Sequence, residues 1–192
     1  MIVIRKYHPA LVVLHWLLAF LIIAALFLGA VIMVRISNSN PMKMEALRNH
    51  GIAGVLILVL TLARLTVRER TDRPADATTH NSWLDRLAWW SHRLLYFAVL
   101  GMALSGAVMA YQANLVPILF EHEGRLPASF WVYPVRTAHY AFSRLLMGLI
   151  ALHIAGALYH TFILRDRLLR RMSFGGRTAA SPPGRLSTEM GR

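Results

Sequence analysis

Histidines within long apolar runs are the residues of this chain that could carry chemistry. Three of them, His139, His153 and His160, lie in the run 137–164. An imidazole inside a membrane span costs free energy unless it is satisfied, so each is a candidate functional group. His139 and His153 are fourteen residues apart, which puts them about 40° apart around a helix and roughly 21 Å apart along it. One helix would therefore present two imidazoles on the same side at two depths.

Four apolar runs are each long enough to cross a bilayer, which predicts an all-α membrane protein folded as a four-helix bundle. The predicted spans are residues 10–34, 47–67, 88–111 and 137–164. They form one transmembrane domain, 1–171, and we expect a basic, disordered cytoplasmic tail over 172–192. The composition agrees, since 56% of the 192 residues are hydrophobic and the mean hydropathy is +0.47.

The basic residues flank these spans and give a net charge of +12. Fifteen Lys and Arg residues fall on the side of the N-terminal entry, the second loop and the tail, and six fall on the other side. The positive-inside rule therefore predicts both termini in the cytoplasm, and we expect no nucleic-acid partner. The chain has no cysteine, which excludes disulfides, cysteine-bound iron–sulfur clusters and covalently attached haem.

This topology assigns four histidines to two depths, with each pair drawn from two different helices. His15 and His153 share the inner level, and His50 and His139 share the outer level. Two imidazoles without nearby Cys, Asp or Glu make a poor closed zinc site, but they suit the two axial positions of a haem iron. The sequence therefore predicts two non-covalent, b-type haems.

Small and basic residues near these levels could accommodate the haems. The glycines that could border an intramembrane slot are Gly51, Gly54, Gly101, Gly106, Gly148 and Gly156. The arginines that could meet propionates are Arg48, Arg136 and Arg144 at the outer level and Arg93 at the inner level.

Other interpretations of the same residues remain open. A single histidine near a span end is also typical of an interfacial polar residue, and the glycines could be helix-packing positions. His160 could replace His153 as a ligand. His92 could be a ligand or a neighbour of a propionate or proton path. We treat Arg144, His92 and His160 as candidate haem or quinone neighbours.

Four segments, one for each span and in order, resemble the bacterial cytochrome b561 family, which is related to the cytochrome b subunits of nickel–iron hydrogenases. They are YHPALVVLHWLLA, NHGIAGVLILVLTLARL, SHRLLYFAVLGMALSGAVM and HYAFSRLLMGLIALHIAGALYH. The resemblance implies a dihaem protein of the bacterial inner membrane, with His15 and His153 on one iron and His50 and His139 on the other. It also implies electron transfer between a redox donor and the quinone pool, with ubiquinone as a candidate substrate. Some members of the family are linked to quinone reduction by superoxide.

Two other functions stay open. The chain could be an anchor subunit that passes electrons from a partner oxidoreductase, such as a hydrogenase, to quinone. A haem-free proton or metal-ion transporter would need intramembrane carboxylates, and no Asp or Glu lies inside a predicted span. The sequence leaves open whether the chain is a carrier or a quinone-linked oxidoreductase, and whether it forms a homodimer. Arg144 and the long 112–136 connection depart from the compact members of the family.

Overall fold

The computed structural model describes residues 2–4, 6–75, 77–79, 81–166, 168–174 and 178–180. Within these residues, four helices are long and apolar enough to cross a membrane, which confirms the all-α fold class. The helices are α1 (Pro9–Phe27), α2 (Pro41–Arg70), α3 (Ser82–Gln112) and α4 (Val135–Tyr159). Two of them continue into π turns, α1 into Leu28–Ile32 and α4 into His160–Leu164.

The second and third helices begin six residues earlier than hydropathy predicts, at 41 rather than 47 and at 82 rather than 88. Each begins at an asparagine cap. The Asn40 side chain accepts a hydrogen bond from the Met42 amide, and the Asn81 side chain accepts one from the Trp83 amide. Such caps satisfy amides that a helix start leaves unpaired, so the helices extend over polar turns that an apolar window does not detect.

The two ends of the chain meet at one end of the bundle. Strand β1 (Ile2–Ile4) pairs antiparallel with strand β2 (Thr178–Ala180). Nearby, the Trp16 indole donates a hydrogen bond to the Met172 carbonyl at 3.1 Å. Residues 175–177 and 181–192 of the predicted disordered tail lie outside the described residues.

An apolar layer contributed by all four helices separates the two histidine levels. On each helix the buried residues of this layer lie between the two histidine levels. On α4, for example, they lie between His139 and His153. The members are Leu18, Leu26, Ile57, Ala98, Val99, Leu146 and Leu149. Large apolar side chains such as Phe20 and Leu104 remain exposed on the outward faces, as expected of surfaces that face lipid. The layer therefore holds the two levels apart.

The connection between α3 and α4 folds back onto the bundle. It contains a π turn, Pro117–Glu121, and a short 3₁₀ turn, Phe130–Val132. Buried Ile118 and Leu119 join Leu47, near the start of α2, in a second apolar cluster. The connection thus covers the end of the bundle at which α2 begins.

Candidate functional site

The inner pair of histidines lies between α1 and α4. The ring centroids of His15 and His153 are 6.1 Å apart. His92 of α3 lies next to them, with its ring 5.2 Å from that of His153. The His92 Nδ1–H group donates to the Ala88 carbonyl at 2.7 Å, so its Nε2 faces away from its own helix. The structure thus brings three imidazoles from three helices together at this level.

The outer pair lies between α2 and α4, where the ring centroids of His50 and His139 are 6.3 Å apart. The Ser105 hydroxyl donates to the Met102 carbonyl at 3.1 Å and lies 3.1 Å from His139 Nδ1. When the hydroxyl proton of Ser105 is used on Met102, His139 Nδ1–H is the donor to Ser105. This tautomer leaves Nε2 of His139 with a free lone pair, which is the form that binds a metal.

Two glycines press against the outer pair from neighbouring helices. A Cβ atom on Gly29 would lie 3.2 Å from Cε1 of His50, and one on Gly106 would lie 3.2 Å from Cε1 of His139. Gly29 lies in the π turn that follows α1, and π turns occur often at functional sites. A side chain at either position would therefore displace the facing imidazole by a few tenths of an ångström.

The arrangement fits a haem at each pair. An imidazole bound through nitrogen to a metal at about 2.0–2.1 Å has its ring centre roughly 3 Å from the metal, so two axial rings have centres about 6 Å apart. Both pairs match this separation. In addition, His50 Nδ1 is buried without a hydrogen-bond partner. Among the described residues, no three His, Cys, Asp or Glu side chains converge as a closed metal site requires.

Two of the glycines that could border a cofactor follow the paired histidines on the same helix faces. Gly54 is one turn beyond His50, and Gly156 is one turn beyond His153; a Cβ atom at either glycine would meet nothing within 4 Å. Gly101 is different, because a Cβ atom there would lie 2.4 Å from Cζ of Phe142. Gly101 is therefore a packing position between α3 and α4 and does not border a slot.

Two further candidate neighbours, His160 and Arg144, contact residues outside the two histidine pairs. His160 is 8% exposed and its Nδ1 lies 2.5 Å from Oδ2 of Asp166. Arg144 is exposed and its guanidinium stacks on the Tyr140 ring at 4.8 Å. A role for either residue at a cofactor stays a prediction, as do the roles of the four paired histidines as ligands and of His92 as a neighbour.

Two arginines lie near the inner level, Arg93 of α3 and Arg64 of α2, and their contacts differ. Arg93 stacks on Trp89 at the surface, with 3.2 Å between its Cζ and the ring centroid. Arg64 instead lies close enough to His15 and His153 to interact electrostatically with both. Its position inside the predicted span 47–67 was the available signal. Ser105 and Gly29 gave no comparable signal, because their contacts depend on how the helices are rotated against each other.

Known proteins resemble this chain over most of its length. A model of the prokaryotic cytochrome b561 family matches residues 6–175. Cytochrome b561 homolog 1 of Escherichia coli (strain K12) is 25% identical over 171 residues, covering 88% of this chain and 97% of that protein. Cytochrome b562 of Cereibacter sphaeroides is 29% identical over 128 residues, covering 64% of this chain and 65% of that protein. The chain therefore belongs to the prokaryotic cytochrome b561 family, the membrane cytochromes b that bind b-type haem and transfer electrons.

Proposed function

We propose that this protein is a dihaem cytochrome that carries electrons between a redox donor and the quinone pool of the bacterial inner membrane, with both termini in the cytoplasm. The observation that carries the proposal is the pair of centroid separations, 6.1 Å for His15 with His153 and 6.3 Å for His50 with His139. Each pair would hold one b-type haem through its two imidazoles. The bound irons would supply reversible one-electron chemistry.

The chain would contribute spacing, burial and ligand orientation. Because α4 supplies one histidine to each pair, it would hold the two redox centres roughly 21 Å apart along its axis. Ser105 would fix the His139 ring and increase its basicity through the Nδ1–H hydrogen bond. The apolar layer between the levels would keep water away from the path between them.

Quinone would react near the inner pair, where titratable side chains collect. Formation of quinol takes two electrons and two protons, and His92 together with the His160–Asp166 couple would hold protons there. In the superoxide-linked form, two superoxide anions each lose one electron and leave as dioxygen, while one quinone gains two electrons and two protons. The acceptor and the donor can be tested separately with the purified protein.

The ligand assignment is tested by changing His15, His50, His139 and His153 singly to Ala and measuring haem per protein and the reduced-minus-oxidised absorption spectrum. Each change should remove at least one low-spin haem. The control is His122→Asn, because His122 is exposed in the α3–α4 connection and asparagine tolerates its φ of 60°; it should keep both haems. If all four histidine-to-alanine variants keep two low-spin haems, as the control should, the ligand assignment is wrong.

The alternative within the same chemistry is a subunit that anchors a partner oxidoreductase such as a hydrogenase. Affinity purification from native membranes separates the two, since a stoichiometric metalloenzyme partner would favour the anchor. A haem-free transporter is disfavoured because the described carboxylates of the span helices, Glu45, Glu69 and Asp85, lie near helix ends. A homodimer stays a prediction that the size of the purified protein would test.

A further inference from the structure

Arg64 is a shielded cation inside the bundle, and the described residues supply no counter-charge for it. Its Nε is buried and has no hydrogen-bond partner. One Nη donates to the Tyr96 hydroxyl, and the guanidinium lies 5.5 Å from the Tyr96 ring centroid. The ion pairs Arg48–Glu45 and His160–Asp166 do not involve Arg64, and no ion pair within the described part of the chain joins Arg64 to a carboxylate. Charged groups at such positions are normally paired.

A second unpartnered donor lies one turn away. Thr61 is 2% exposed and its hydroxyl has no hydrogen-bond partner. Residues three apart on a helix share a face, so Thr61 and Arg64 present two unused donors to the same side of α2. The groups that face Arg64 from other positions are His15 and His153, the hydroxyl of Tyr7 and the cation of Arg68. None of these supplies a negative charge at neutral pH.

The missing partner is best described as a carboxylate. Arginine binds carboxylates bidentately, and a threonine hydroxyl can donate to the same group. A haem held by two neutral imidazoles carries a net negative charge from its propionates, and this charge grows by one on reduction. A cation fixed beside it would therefore favour the reduced form.

We infer that Arg64, assisted by Thr61, binds a propionate of the haem at the His15–His153 pair and raises the reduction potential of that haem. The inference rests on the proposed dihaem function. It assigns to α2 a contact with both redox centres, through His50 at one level and Arg64 at the other. It also accounts for an arginine at a membrane depth where unpaired charge is costly.

The test is an anaerobic redox titration of the purified full-length protein, followed at the haem α-band. The wild-type protein should titrate as two components, and His15→Ala identifies the component that belongs to the inner pair. In Arg64→Gln the reduction potential of that component should fall by at least about 59 mV. For a one-electron couple this is a tenfold shift toward the oxidised form. The other component should stay unchanged. An Arg64→Gln protein that loses the inner haem but keeps the outer haem would equally support a propionate contact.

Matched variants separate the contact from a general effect of charge. Arg70→Gln removes the same charge from the exposed C-terminal end of the same helix and should move neither component. Arg64→Lys keeps the charge and should retain most of the potential. If Arg64→Gln does not accumulate, Thr61→Val decides, because it removes only the hydroxyl and should lower the same component.

Two results would overturn the inference. One is Arg64→Gln with both haems bound and both potentials unchanged, including the case in which only the KM for quinone changes. The other is an unchanged inner component in Thr61→Val when Arg64→Gln cannot be obtained. A wild-type protein that titrates as fewer than two haems would instead refute the dihaem function itself, before any Arg64 variant is measured.

Discussion

The contact between Gly101 of α3 and Phe142 of α4 gives a quantitative test of the bundle. A Cβ atom on Gly101 would lie 2.4, 2.5 and 2.9 Å from three carbons of the Phe142 ring. Ordinary contacts between two carbon atoms begin at about 3.5 Å, so the ring of Phe142 would have to move by roughly 1 Å. Phe142 is also held by Phe97, with 5.7 Å between ring centroids.

Two opposing terms set the size of the effect of Gly101→Ala. Overpacking a well-packed contact costs about 1–3 kcal/mol, whereas replacing a helical glycine by alanine gains about 0.8–1.0 kcal/mol. The net change in a protein that keeps Phe142 should be a loss of about 0–2 kcal/mol. With Phe142→Ala in the background, the steric term disappears and Gly101→Ala should become neutral or stabilising. The coupling energy should therefore be about 1–3 kcal/mol.

The assay is a double-mutant cycle of Gly101→Ala and Phe142→Ala on the apparent melting temperature of the purified protein. For a chain of this size the coupling corresponds to roughly 2–12 °C between the two backgrounds. Haem absorbance recorded in the same melts reports whether the cofactor leaves as the helices separate. An effect of Gly101→Ala that is equal in both backgrounds, within about 0.5 kcal/mol, would refute the packing role of this glycine.

Three further predictions concern other contacts. Ser105→Ala removes the acceptor for His139 Nδ1–H, so haem affinity at the outer pair should fall by about 10–100-fold and the potential of the retained haem should rise, as redox titration would show. Lys43→Met removes the hydrogen bonds that the ammonium of the buried Lys43 donates to two carbonyls at the end of the first span, which should cost about 1.5–3 kcal/mol in thermal melts. Asp166→Asn removes the carboxylate beside His160; both haem signals should stay while quinol formation slows by roughly 10²-fold.

Each of these has a control that removes a similar group elsewhere. Ser91→Ala removes a buried hydroxyl of α3 whose hydrogen bond within the described structure goes to its own helix, and an equal change in potential there would contradict the role of Ser105. Arg35→Met removes an exposed cation at the end of the same span as the carbonyls that Lys43 contacts, and it should change the free energy of unfolding by no more than about 0.5 kcal/mol. Glu123→Gln removes an exposed carboxylate of the α3–α4 connection. Quinol formation that slows equally in Glu123→Gln and Asp166→Asn would argue against the His160 couple.

The sequence predicted the helices and the two histidine levels because both follow from regular geometry. Fourteen residues on one helix determine the depth and the face of His139 and His153, whatever surrounds them. Helices α2 and α3 extend beyond the predicted apolar spans because hydropathy does not detect a capping asparagine. The importance of Gly101 and Ser105 could not be predicted, since each depends on which side chain the neighbouring helix turns toward it.

The π turns add a consequence for chain length. The hydrogen bonds of a π turn enclose one residue more than those of an α-helical turn. Deletion of one residue from His160–Leu164 would therefore let the end of α4 rewind as regular helix. Because the wider turn absorbs that residue, the residues after it would keep about their present direction, whereas a deletion in the regular helix before His160 would turn every later residue by about 100°. The π turn is therefore the part of α4 in which a change of one residue in length should be tolerated best, as long as Asp166 still reaches the imidazole that it meets at 2.5 Å.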